Sequence, residues 1–471
     1  MTQSDSDDPV QEDDLMPDDE AALKLDRKLS PSARAILRFI QVCETGGKIE
    51  VFSEDADTAH LRKIVKSYRG HLYPLLMKRL RQVLRLGGVE IITQRDIISL
   101  IDRLWADNIS TLTKTELPFL EAVLKSPGDS LKSLSEKARF SYPQARRAQK
   151  RLSESGVLKI GGMLNTDQLG LERILIVLEN PSLVLSGPYC QKELFVDGYS
   201  PLVLIVAIVP YAKRKDLMDT VRSLRDSTTN ASVYSLSTGH PSFSGLYSDP
   251  QKGWNLDLLH FRLMLRKGGD PITLADIPVP STTENTRFTY GDTHVMDALI
   301  ESLDDTANDI AKKTGLSLST VFRKRASLLA KGTVISRAWV NIPQLSDRII
   351  VMCSPEVGGN LTPGWQNLPL TYTSRISNLE DNSDEKVLLI SALPAGSGTS
   401  VLSVLNDETS KVDDYSAWTV AAGMGGVTKV SSMYDRRQNT WAYDVSRHFD
   451  AVTYSVLRKE ASPYNIPLDL A

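Results

Sequence analysis

The sequence predicts an α+β chain in which one unit, a helical bundle followed by an antiparallel sheet domain, is built twice behind a basic helical module. Three observations predict it. Shifted by 176 residues, the segment 120–169 falls on 296–345 without a gap. The patterns that follow each copy recur in the same order. The longest apolar run, Pro201 to Pro210, is far shorter than the ~20 residues a membrane helix needs, and its β-branched content reads as a buried strand. At 471 residues the chain is also too long for one ordinary core, roughly 150 residues being usual for a domain.

Residues 1–20 hold nine acids (Asp5, Asp7, Asp8, Glu12, Asp13, Asp14, Asp18, Asp19 and Glu20) and no Lys or Arg. Such a segment has too little apolar surface to fold, and 1–29 is read as an acidic disordered tail, either solubilising or competing with nucleic acid for basic surfaces. The net charge of −3 therefore hides a basic body, because the remaining 49 acids face 55 bases.

Residues 30–110 form a basic helical module. Its stretch 58–89 contains Arg62, Lys63, Lys66, Arg69, Lys78, Arg79, Arg81 and Arg85 and no acid. Like charges at that density repel unless a polyanion neutralises them, which points to nucleic acid or to the acidic tail. Tyr73-Pro74 and Gly87 repeat the thirteen-residue separation of Tyr142-Pro143 and Gly156, so a third, degenerate copy of the helical unit is expected here, with VEIITQ opening its last strands. TQRDIISLIDRLWAD, 94–108, reads as a linking helix.

The first full unit spans 111–167. A helix carries Leu117, Leu120, Val123 and Leu124. A turn at Pro127-Gly128 leads to a helix over about Ser130 to Ala138. Ser141 stands at an N-cap with Pro143 in the first turn, where a missing N–H is harmless, and the helix ends at Gly156. Two extended pieces beginning VLKIGG complete three helices and a hairpin wing, a winged helix-turn-helix. At 100° per residue, Ala145, Ala148 and Leu152 face the core, and Arg146, Arg147 and Lys150 face out with Arg151 at the boundary. That cation set suits a major groove.

The second unit, 286–343, repeats the pattern. Ser317 is its cap, Val321 and Leu328 face inward, Ser319 and Arg323 outward, and Lys324 and Arg325 lie at the edges. Copy one carries ten bases and five acids over 114–160, copy two seven and six over 292–340. Copy one is thus expected to bind DNA more strongly.

After each helical unit comes strand, strand, strand, helix, strand. Copy one, 168–285, reads ERILIVLE, YCQKELFV, PLVLIVAIV, KRKDLMDTVRSLRDS and ASVYSLS. Copy two, 344–471, reads RIIVMCS, YTSRISNL, KVLLISALP, SGTSVLSVLNDETS and YSAWTVAA, with a longer loop from Pro355 to Leu370. Tyr247, Gln251, Trp254 and Asp257 match Tyr434, Gln438, Trp441 and Asp444 at 4-3-3 spacing. That spacing suggests one helical face, either a clamp on each sheet or a partner site.

Catalytic signatures are absent: there is no G-x-x-x-x-G-K-[ST], G-x-G-x-x-G after a strand, H-E-x-x-H or G-x-S-x-G. Six scattered histidines show no metal spacing, and Cys43, Cys190 and Cys353 form no framework of pairs. The expectation is a protein that is not an enzyme, has no cofactor or metal and is cytoplasmic, with no secretory leader.

Two stretches, SYPQARRAQKRLSESGVLKIGGMLNTDQLGLERILIVLE and TGLSLSTVFRKRASLLAKGTVISRAWVNIPQLSDRIIVM, give the chain a resemblance to the Lrp/AsnC (feast/famine) transcription regulators over about 112–240 and 288–425. The resemblance implies a ferredoxin-like, RAM-like sheet domain of βαββαβ order behind each winged helix. It implies double-stranded DNA as partner, nucleoid association, intramolecular pairing of the two sheet domains with room for a homo-oligomer, and a small-molecule effector of unknown identity. The first helix of the βαββαβ order is not evident, since Pro181–Gly187 and the Pro355–Leu370 loop occupy its place, so no effector-binding residue is carried over. Tandem fusion departs from the usual single unit and reads as more archaeal than bacterial.

The expected function is a DNA-binding transcriptional regulator. Its DNA contacts would be Arg146, Arg147, Lys150 and Arg151, with Ser319, Arg323, Lys324 and Arg325 in copy two and Lys78, Arg79, Arg81 and Arg85 in the N-terminal module. One alternative is a protein-interaction scaffold in a transcription or chromatin complex. Another is an enzyme like the siroheme decarboxylases, which resemble the same two-domain unit, although the sheet segments here are poor in the histidine such chemistry needs.

Overall fold

The computed structural model describes residues 25–45, 61–85, 91–108, 112–224, 229–249, 253–267, 288–381, 384–409, 415–425, 429–444 and 449–462, apart from 26, 63, 66, 67 and 69. Residues 1–24 of the expected tail lie outside them; its end is folded, with Leu25 and Leu29 buried and Leu29 bridged to Ile92. No described helix is long and apolar enough to cross a membrane.

In the N-terminal module the described residues include α1 (Pro31–Thr45), α2 (Leu72–Arg85) and α3 (Gln94–Asn108). Helix α1 buries Ala33, Leu37, Phe39 and Ile40. Its Glu44 carboxylate accepts the backbone N–H groups of Leu72 (2.8 Å) and Tyr73 (3.2 Å), so a negative charge satisfies orphan donors at the positive end of α2. The linking helix is α3 as expected, and Trp105 on it donates to the Ser155 carbonyl at 2.8 Å. The wing expected from VEIITQ does not form among the described residues: Ile92 makes only an isolated bridge to Leu29, and α3 begins two residues later.

Two three-helix units follow, α4 (Glu116–Lys125), α5 (Leu131–Lys137) and α6 (Tyr142–Glu154), then α9 (Tyr290–Glu301), α10 (Ala307–Thr314) and α11 (Leu318–Ala330). The caps fall where the sequence put them. Gln144 Oε1 accepts the Ser141 N–H at 3.0 Å, and Ser317 accepts from the Thr320 N–H at 3.3 Å. Gly156 and Gly332 close α6 and α11 with φ of 81° and 66°.

The hairpin wing is a correction. Each unit supplies a single strand, β1 (Leu158–Leu164) or β10 (Val334–Val340), and the two pair with each other. The reason is local: a 3₁₀ turn at Asp167–Leu169 sends the chain straight into the sheet domain and leaves no return strand. In the antiparallel register Gly161 lies opposite Arg337, its own counterpart 176 residues on, so a local two-fold axis passes through this pair. Gly161 has no room for a side chain, because a Cβ would come within 2.6 Å of the Ile300 carbonyl oxygen on α9.

The sheet domain of copy one holds β2 (Leu171–Glu179), β3 (Leu183–Ser186), β4 (Cys190–Val196), β5 (Leu202–Pro210), α7 (Arg214–Ser223), β6 (Asn230–Leu236) and β7 (His240–Phe243). Copy two holds β11 (Asp347–Cys353), α12 (Pro355–Trp365), β12 (Leu370–Asn378), β13 (Glu385–Leu393), α13 (Gly398–Thr409), β14 (Tyr415–Val420) and β15 (Ala422–Gly425). The strands run β14-β11-β13-β12-β6-β2-β5-β4-β15 in one antiparallel sheet, with β7 also on β12. Only Ala421 separates β14 from β15, so one continuous strand pairs β11 at one end of the sheet and β4 at the other and closes it. Copy one does the same with β6 on β2 and β7 on β12. Inside, Leu175, Val177, Leu204 and Val206 share one core with Ile350, Tyr372, Leu388 and Ile390. The alternate residues Ile174, Ile176, Val203 and Ile205 face outward onto Leu217 and Val221 of α7, which accounts for the unbroken apolar run of β5.

The Pro355–Leu370 loop is a second correction, since most of it is α12. Ser354 caps it and Pro355 sits at its start. Copy one has no helix there, as expected; β3 stands in its place and pairs with β18 (Asp450–Thr453), near the chain end.

The 4-3-3 repeat is a third correction. Trp254, Tyr434 and Trp441 lie in hairpins, β8 (Ser248–Asp249) with β9 (Gly253–Trp254), and β16 (Tyr434–Asp435) with β17 (Thr440–Trp441), while Tyr247 immediately precedes β8 and Asp257 and Asp444 follow the hairpins. Gln251 lies outside the described residues. Tyr434 and Trp441 are cross-strand partners whose rings meet edge to face at 5.1 Å. Each hairpin leads into an element that crosses to the other copy. Helix α8 (Leu258–Lys267) packs on α12, and β18 with α14 (Tyr454–Glu460) covers β3.

Candidate nucleic-acid interface

Helix α6 separates its two faces cleanly. Ala145, Ala148 and Leu152 are buried against the unit's other helices. Arg146, Arg147 and Lys150 are exposed, and among the described residues neither arginine has a side-chain partner. Lys150 approaches Glu154 at 3.7 Å with both side chains exposed. A pair of that kind contributes only about 0.3–0.5 kcal/mol and yields readily to a phosphate.

Arg151 has a different job. Its guanidinium lies 2.6 Å from the Glu116 carboxylate, which is 3% exposed and also accepts the Thr113 N–H at 2.8 Å. It ties α6 to the start of α4, and leaving a buried carboxylate unpaired would be costly.

In copy two the expected set divides in the same way. Ser319 and Arg323 are exposed on α11. Lys324 is turned inward, 2.6 Å from Asp292 and 2.9 Å from the Thr289 hydroxyl. Burial opposes ionisation of Asp292, but the Lys324 ammonium and the Thr289 hydrogen bonds outweigh it and hold the carboxyl below its usual range. Arg325 donates to the Leu303 carbonyl at 3.0 Å. Within the chain, Lys324 and Arg325 thus tie α11 to α9 and to the turn after it.

Aligned by 176 residues, the outward position of Arg146 is taken by Phe322, 69% exposed, that of Tyr142 by Leu318, and that of Lys150 by Ala326. The two third helices thus share a buried face and differ in what they present.

On α2, Lys78 and Arg79 are exposed, and Arg79 donates to Gln82 at 3.3 Å. Arg81 is half-buried and partnered. The Arg85 side chain lies outside the described residues. Arg139, in the turn between α5 and α6, is an exposed cation outside the expected set and has a φ of 59°. The offset would have found it, because its counterpart is Gly315, the C-cap of α10.

No group of three or more His, Cys, Asp or Glu able to hold a metal occurs among the described residues. A cleft of about 370 Å³ between α8 and α13 is lined by Leu258, Leu259, Arg262, Ser400, Ser403 and Val404, and the Arg262 guanidinium is already engaged by Asp407 and Glu408.

No protein-family model matches the chain, and no curated protein matches it. Among solved structures it is similar to the crystal structure of the siroheme decarboxylase NirDL, at 10% identity and a TM-score of 0.37, over 65% of this chain and 91% of that one. A likeness at that level says nothing about chemistry.

Proposed function

We propose that the chain is a DNA-binding transcriptional regulator that engages the duplex through α6. One observation carries the reading: a helix whose inner face is sealed by Ala145, Ala148 and Leu152 turns Arg146, Arg147 and Lys150 outward. Arginine suits this role because its planar fork reaches both phosphate oxygens and the guanine edge. The units 111–167 and 286–343 are then winged helices in the manner of the Lrp/AsnC proteins, with the β1–β10 ribbon in place of two separate wings. The closed sheet does within one chain what two chains do in a dimer.

The test is a titration of duplex DNA at several salt concentrations. Three phosphate contacts give a slope of log affinity against log salt near −2.7, hence about a forty-fold loss between 50 and 200 mM. Arg146→Ala, Arg147→Ala and Lys150→Ala together should remove most of that dependence; an unchanged dissociation constant at fixed salt would refute the assignment.

A second reading is favoured at copy two alone. Leu318 and Phe322, 50% and 69% exposed, put apolar side chains beside Arg323 on the outward face of α11, where copy one has Tyr142 and Arg146, and such apolar exposure suits a protein contact. Failure of the whole protein to retard any duplex at low salt would make that scaffold role the better account.

A further inference from the structure

Among the described residues only three other than glycine have positive φ: Arg139, Asn180 and Asn439. Asparagine tolerates left-handed backbone, whereas a long side chain such as arginine is disfavoured there. Arg139 holds that conformation at 59° in the turn that delivers the chain to Ser141 and α6. Its backbone N–H donates to the Glu136 carbonyl at 3.1 Å, so the turn is an ordinary helix end in every other respect.

The duplication supplies the comparison that makes this informative. The same turn in copy two has Gly315 at φ 69°, with open space where a side chain would point. The turn is therefore built with glycine where the following helix presents Phe322 and Ala326, and with arginine where it presents Arg146 and Lys150. The Arg139 side chain is exposed, and among the described residues its guanidinium has no hydrogen-bond or ion-pair partner. The fold bears an unfavourable backbone conformation at this residue without a contact among the described residues in return. A cation beside the N-terminal end of a cationic helix fits a polyanion.

We propose that Arg139 is a phosphate-contacting residue that extends the α6 interface by one turn, retained against the conformational preference of its own backbone. The inference rests on the α6 reading above and adds a fourth cation to it.

Arg139→Gly separates fold from function, because it relieves the backbone while removing the charge. With a 30-base-pair duplex of random sequence as probe, the full-length variant is expected to melt higher than the parent. It should bind several-fold more weakly at low salt, with the slope of log affinity against log salt smaller in magnitude by about one. Arg139→Lys should restore most of the binding. Equal affinity and equal slope for Arg139→Gly would overturn the inference, and so would a lower melting temperature, since the arginine would then serve the fold. The triple alanine variant on α6 tells the two failures apart. If it loses binding while Arg139→Gly does not, only the Arg139 contact is wrong. If it binds like the parent, the α6 reading itself is wrong.

Discussion

Single residues show where a helical wheel stops being informative. The wheel places Arg151, Lys324 and Arg325 near the edge of their helices, and there the deciding factor is a partner elsewhere in the chain. Glu116 lies 35 residues from Arg151 and Asp292 lies 32 from Lys324, so no local pattern names either one. Arg146, Arg147, Lys150 and Arg323 were legible because the middle of an outward face needs no partner to stay outward. The same lesson covers Asp102 on α3, whose carboxyl burial pushes up to about 7 and whose Oδ2 has no partner among the described residues. In the unfolded chain this group ionises near 3.8. From about pH 4 to pH 7 the unfolded state therefore gives up a proton that the folded state keeps, and stability falls as pH rises through that window. Asp102→Asn removes the titration. Its melting temperature should match the parent near pH 4 and exceed it increasingly up to pH 7–8, by a margin of up to about 3–4 kcal/mol in unfolding free energy. A difference that stays constant across this range, followed by thermal melts in matched buffers, would show that the carboxyl is not buried in solution.

Secondary-structure elements were legible wherever a period ran uninterrupted. The strands β2, β4, β5, β6, β11, β13 and β14 lie on the segments that alternation or apolar runs mark, and α7 and α13 follow the 3.6 period. Helix α12 was missed because PEVGGNLTPGW contains three glycines and two prolines, all poor helix formers. Packing explains those residues better than propensity does. A Cβ on Gly364 would lie 2.7 Å from the Leu265 Cα on α8, and one on Gly358 would lie 2.7 Å from the Val387 Cβ on β13. The glycines let α12 press against the sheet on one side and against the crossing helix on the other. Gly364→Ala should therefore destabilise by about 1–3 kcal/mol, although alanine is the better helix former, because backbone atoms of α8 must move to make room. Urea denaturation measures this, and a stabilised variant would mean that α8 does not sit on α12. The 4-3-3 repeat failed for a related reason. Spacings of three and four also bring residues together across a short hairpin, and a sequence gives no sign of which way the chain turned.

At the level of the whole molecule, the offset of 176 revealed that one scaffold is used twice, but nothing in it says that the two uses are inseparable. Strand pairing joins the copies at four places: β1 with β10, β6 and β7 with β12, β15 with β4, and β18 with β3. These partners are chosen by closure, and a period-2 pattern marks a strand without naming its neighbour. A half chain would present unpaired edges at β4 and β6 and expose the inner face that Leu175, Val177, Leu204 and Val206 share with copy two. Covalent continuity between the copies should thus matter little once the protein has folded. With a protease site placed within 268–287, cleavage of the native protein should leave two fragments that co-elute at the size of the intact chain, since each lost core contact with the other half costs on the order of 2 kcal/mol. The fragments should part only at denaturant concentrations that also abolish tertiary structure. Separation under native conditions would show that the copies are ordinary tandem domains, and the two third helices would then act independently. Co-elution would instead mean that α6 and α11 are held in one frame by the ribbon and the closed sheet. Their unlike outward faces then meet any partner as a single asymmetric surface, cationic at one helix and mixed apolar and cationic at the other.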